Sequence, residues 1–121
     1  MSETRKDLAN LKCVPCRGGI PPMLDEKISE MLPTIPGWKL VVDEGYEKIR
    51  RTYKFKNFVK AMEFTNKVAE IAEDQGHHPD ISIQWNIVEL TLWTHAIKGL
   101  HENDFILAAK IDEMNEKEAT S

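Results

Sequence analysis

Three of the four histidines in this chain, His77, His78 and His95, fall within 19 positions of one another. Histidine titrates near pH ~6.5 when unperturbed, so an imidazole can give or take a proton close to neutrality. A well-placed acid or base contributes about 10²–10⁴ in rate, and a pair that divides the two roles suffices for a dehydration or isomerisation without a cofactor. Hydrolysis of a phosphodiester or peptide would need more machinery. The chain has no Gly-rich phosphate loop, no G-x-S-x-G and no H-E-x-x-H. A three-histidine metal site is the rival reading. Pro79 holds His78 extended, so the adjacent rings of His77 and His78 project in different directions and ligate one metal awkwardly. Chemistry without a metal is therefore expected.

These histidines need elements to position them. Asn57 can cap a helix over Phe58–Asp74, where Phe58, Ala61, Met62, Thr65, Val68, Ala69 and Ala72 recur at spacings of three and four. Gly76 stops that helix, and Pro79 prevents its resumption, which leaves His77 and His78 in a constrained loop. Ile81, Ile83, Trp85 and Ile87 then alternate with polar neighbours, predicting a strand over 81–88. A second strand over 89–95 puts Leu90 and Leu92 on one side and Glu89, Thr91, Trp93 and His95 on the other, with the boundary near Ile87–Glu89. Upstream, Trp38–Val42 and Lys48–Phe55 read as a hairpin about Asp43-Glu44-Gly45-Tyr46. The positive charges at Lys48, Arg50, Arg51, Lys54 and Lys56 could attract an anionic partner, but read first as a solvated face. A last helix begins near Phe105. With a short helix at Met23–Leu32, the order is helix, two strands, helix, two strands, helix. This predicts an α+β fold: a four-stranded antiparallel sheet with three helices on one face.

Composition bounds the possibilities. The chain has 121 residues with a net charge of −4, and its pI is near 5.6. A single domain is expected. With 16 basic against 20 acidic residues, a broad footprint for nucleic acid is not expected. The mean hydropathy of −0.43 and the lack of a long apolar run argue against a membrane span. Met1–Asp7 offers no secretory segment, and a cytoplasmic location is the working expectation. The first 36 residues hold five of the six prolines and both cysteines. Residues 1–22 therefore read as an irregular arm ahead of a domain at 23–121. Cys13 and Cys16 supply half of a zinc site or a redox pair, and inert reduced thiols are the expectation in a cytoplasm.

The spacing Glu73-x-x-x-His77-His78-Pro79, then Trp85, His95 and Asp104, runs over about 32 positions. It resembles the signature of the pterin-4a-carbinolamine dehydratase family. Cys13-Val14-Pro15-Cys16-Arg17-Gly18-Gly19 also resembles an extension seen in a bacterial and plant branch of that family. The resemblance implies dehydration of 4a-hydroxytetrahydropterin to quinonoid dihydropterin, in tetrahydrobiopterin recycling, with no cofactor and no metal. It implies that His77, His78 and His95 are catalytic and bind the pterin, without assigning which is acid and which is base. Glu73 and Asp104 would support them, Trp38 would join the pterin-binding residues, and Trp38 and Trp85 read otherwise as core or pocket wall. His101 stands where family members often have Ser or Thr as a helix cap, which would weaken that cap unless Asn103 replaced it. A homodimer or homotetramer is implied as well. Two alternatives stay open: action on a molybdopterin-related pterin, or service as a dimerisation cofactor of a transcription factor.

Overall fold

The computed structural model describes residues 4–14 and 20–120. Helix α1 (Arg5–Ala9) and helix α2 (Asp25–Met31) precede a hairpin of β1 (Lys39–Asp43) and β2 (Tyr46–Lys54). Helix α3 (Phe58–Gln75), β3 (Asp80–Gln84), β4 (Ile87–Leu92) and helix α4 (Glu102–Thr120) follow. The strands form one antiparallel sheet in the order β1-β2-β4-β3. This is the expected α+β architecture, with helices α2, α3 and α4 over one sheet face.

The hairpin turns because Glu44 and Gly45 both take positive φ, 56° and 83°, as a tight two-residue connection requires. The sheet's core face is built by Ile49 and Tyr53 from β2 and by Val88, Leu90 and Leu92 from β4, all buried. Ala61, Phe64 and Val68 of α3 and Phe105, Leu107 and Ile111 of α4 pack into the same cluster. The two ends of α3 are set locally. The Asn57 side chain accepts the Lys60 N–H at 2.9 Å, and Gly76 closes the helix in the left-handed region at φ 66°.

Several expectations need correction. The β3–β4 turn falls at Trp85-Asn86, earlier than the boundary near Ile87–Glu89. Trp85 takes φ 52°, and the Asn86 amide donates to the Phe55 carbonyl at 2.9 Å. Gln84 pairs with Ile87, so face parity flips across the turn. Ile87 continues the sequence alternation while lying on the opposite face from Ile83. Trp85 is consequently exposed at the turn, neither core nor pocket wall.

The start of the chain is also more ordered than an irregular arm. Thr4 and Asp7 form a reciprocal cap on α1, and Leu8 is buried in the main core. Arg5 pairs with Glu113 and Glu116 of α4, and Lys110 donates to the Ala9 carbonyl at 2.8 Å. The Cys13–Cys16 pair cannot be followed as a unit, because Cys16 lies outside the described residues. Nor is the basic face of β2 simply solvated. Lys48 is 1% exposed, paired with Asp43 and Glu44, while Arg50 pairs with Asp43 and Glu89.

Candidate active site

The end of α3, the residues after β4 and the start of α4 meet at one end of the sheet. His77 follows Gly76 directly, and its backbone N–H is tied to the Ala72 carbonyl at 3.2 Å. His95 opens a short 3-10 turn, His95–Ile97. A bridge between Thr94 and Gly99 closes the loop that carries it. Gly99 is required there, since a Cβ would fall 2.7 Å from Pro22 Cβ.

His77, His78 and His95 line one pocket of about 270 Å³, together with Val14, Trp93 and Asn103. Asp104, fully buried, organises it from below. Its Oδ1 lies 2.6 Å from His77 Nε2. Its Oδ2 accepts from the Thr94 hydroxyl at 2.9 Å and from the His101 N–H at 3.0 Å. An ionised carboxylate only accepts, so His77 Nε2 carries a hydrogen and Nδ1 is the nitrogen left to accept a proton. His78 Nε2 lies 2.9 Å from Glu73 Oε1, and both side chains are exposed. The ring of His95 packs against Trp93 with centroids 3.9 Å apart.

Trp93 is held in turn by Tyr46, stacked at 5.3 Å, and by Lys48 Nζ, 4.2 Å above its ring. Its buried indole N–H has no partner among the described residues. Alternation along β4 put Trp93 on the His95 side but gave it no role. Thr94, Val14 and Asn103 carried no sequence signal as pocket residues either.

The structure does not place Trp38 with the histidines. Trp38 is buried in the core, and its indole N–H donates to Asp112 Oδ2 at 2.8 Å. Tyr53 donates to the other oxygen of that carboxylate at 2.5 Å. His101 also departs from expectation. Its Nδ1 accepts the Asn103 N–H at 3.0 Å while Asp104 accepts the His101 N–H. The imidazole thus does the work of a Ser or Thr cap, and the Asn103 side chain is free for another task. Among the described residues, no group of three His, Cys, Asp or Glu side chains is arranged to hold a metal.

The family model for pterin 4 alpha carbinolamine dehydratase matches residues 21–114. The chain belongs to this family. A Rubrobacter xylanophilus protein named "Putative pterin-4-alpha-carbinolamine dehydratase" is 47% identical over 108 residues, which cover 89% of this chain and 98% of that one. The crystal structure of a transcriptional coactivator/pterin dehydratase from Brucella melitensis superposes with a TM-score of 0.70 at 33% identity, covering 77% of this chain and 97% of its own. A pterin dehydratase-like protein described as a RuBisCO assembly factor in the alpha-carboxysome shares the fold at 20% identity and a TM-score of 0.55, over 64% of this chain and 88% of that one. In this member of the pterin 4 alpha carbinolamine dehydratase family, the matched stretch holds all three pocket histidines but not Val14.

Proposed function

We propose that this protein dehydrates 4a-hydroxytetrahydropterin to quinonoid dihydropterin, the step that returns an oxidised pterin to the tetrahydropterin cycle. The observation that carries the reading is the arrangement of two imidazoles, each on its own carboxylate: His77 on buried Asp104 and His78 on exposed Glu73, in one pocket with His95.

The reaction is an elimination of water. One group protonates the C4a hydroxyl, and the C–O bond breaks with its electron pair leaving on water. Another group takes a proton from a ring nitrogen, whose electrons form the new C=N bond. No electrons are gained or lost overall, and the three histidines supply the proton donor and acceptor. Asp104 fixes the hydrogen of His77 on Nε2, which presents Nδ1 as the accepting atom. Glu73 holds the orientation of His78 in the same way, through the 2.9 Å contact at Nε2, from an exposed position. His95, backed by Trp93, completes the set.

The test is His95→Ala. Turnover of 4a-hydroxytetrahydropterin, followed by stopped-flow absorbance, is expected to fall about 10²–10⁴-fold with the circular dichroism spectrum and melting temperature retained. Unchanged turnover in a folded variant would sink the assignment.

A further inference from the structure

The segment before residue 21 lies outside the family match, yet it reaches the histidine pocket. Its course is fixed from Leu8, 1% exposed in the core, to Val14. The Cys13 N–H donates to Gln75 Oε1 at 2.9 Å, which ties the segment to the last residue of α3 before the His77–His78 loop. The Cys13 thiol faces the Asn103 carbonyl at 3.6 Å. Asn103 then grips the next residue as a strand neighbour would. Its Oδ1 accepts the Val14 N–H at 2.9 Å, and its Nδ2 donates to the Val14 carbonyl at 2.7 Å.

Two consequences meet at the pocket. The Asn103 amide, which lines the pocket, commits its oxygen and one of its two N–H groups to Val14. The Val14 side chain is left 56% exposed on a backbone held by two hydrogen bonds, beside His77, His78 and His95. A branched apolar side chain fixed in the open at the rim of a polar pocket loses its contact with water when a flat ring enters. The segment thus replaces an amide patch with an apolar wall.

We propose that Val14 is a substrate-contacting wall of the pocket, packing on the apolar surface of the pterin ring, and that Asn103 is the positioning residue that holds it there. The proposal rests on the dehydratase reading above. It also gives a role to the amino-terminal segment that the histidine motif leaves out.

The test uses the full chain with a 4a-carbinolamine pterin that carries only a methyl group beside the ring, so that ring contact dominates binding. Val14→Ala is expected to raise KM about fivefold with kcat within about twofold, the signature of a lost contact that is equal in ground and transition states. Asn103→Ala should raise KM by a similar factor. In a Cys16→Ser background it should also speed alkylation of Cys13, whose thiol burial pushes up to about 11 in the docked segment.

The outcomes are separable. Wild-type protein that fails to turn over the carbinolamine overturns the dehydratase reading and the wall with it. Active protein whose KM ignores Val14→Ala overturns the wall alone. Cys13 alkylating no faster in Asn103→Ala than in its parent overturns Asn103 as the positioning residue.

Discussion

Asp104 serves three groups with two oxygens: the His77 ring, the Thr94 hydroxyl and the His101 backbone at the start of α4. Asparagine is nearly the same shape, but its amide nitrogen donates where the carboxylate accepted. With Oδ1 kept on Thr94 and His101, the amide N–H of Asp104→Asn faces His77 Nε2 and forces that ring into the opposite tautomer. The nitrogen that should accept the substrate proton would then carry one. Turnover is expected to fall about hundredfold, and nitrogen NMR of the His77 ring should report the exchanged tautomer. A variant that keeps both full turnover and the Nε2–H form would show that Asp104 does not set the tautomer. At this scale the sequence was readable for His77, His78, His95, Asp104 and Glu73, because the rings and carboxylates that meet are close in sequence or fixed by the spacing of one motif. Val14 and Asn103 were not readable. They are 89 positions apart, and a side-chain amide acting as a strand neighbour leaves no pattern.

Among the elements, α4 ties the sheet to the site, and Asp112 on its inner side is the knot. Trp38 and Tyr53 donate to this carboxylate, and Arg51 pairs with it at 3.1 Å. Burial nonetheless holds its carboxyl above the ordinary aspartate value of 3.8, outweighing the opposing pull of Tyr53, Arg51 and Trp38. A raised value in the folded state means that folding takes up a proton there. The stabilisation from this proton is complete below 3.8 and fades as pH climbs through the raised value. Asp112→Asn removes the titration and the charge that pairs with Arg51, at a cost of about 2 kcal/mol. In urea titrations across pH, the wild-type advantage over Asp112→Asn should narrow as pH rises from acid to neutral. A gap that widens instead would contradict the assigned direction. The same cluster explains why the sequence left Trp38 between core and pocket: its partner lies 74 positions away, and a tryptophan at a strand edge suits either. The capped ends of α3 were legible because Asn57 and Gly76 act on their immediate neighbours. The β3–β4 turn was hidden by Ile87, an apolar residue that prolongs an alternation the backbone has already broken.

Taken as a whole, the molecule is a sheet-and-helix body with residues 4–14 wrapped across α4 toward the pocket. Leu8 is where this wrapping is anchored in the core. Arg5 adds ion pairs to Glu113 and Glu116, which are partly solvated and contribute little by comparison. Leu8→Ala is therefore expected to cost about 2–4 kcal/mol in chemical denaturation, while Arg5→Ala should cost under about 1 kcal/mol. Equal costs for the two would mean that the segment is held by charge and not by burial. No described helix is long and apolar enough to cross a membrane, in keeping with the charged outer face of the sheet, where Arg50 meets Asp43, Glu89 and Thr91. Overall architecture was readable from periodicity because each strand and helix repeats its own pattern. The path of the amino-terminal segment was not, since its prolines announce only where regular structure stops.

Trp93 sits at the meeting point of these scales, stacked on Tyr46, capped by Lys48 and pressed against His95. An indole so close to an imidazole emits differently when that ring gains a proton or when a light-absorbing heterocycle settles beside it. Of the other two tryptophans, Trp38 is locked in the core and Trp85 stands in solvent at a turn, and each could be replaced by phenylalanine. The protein would then carry its own optical gauge at the candidate active site, reading the charge of His95 and the arrival of a pterin through one fluorescence signal.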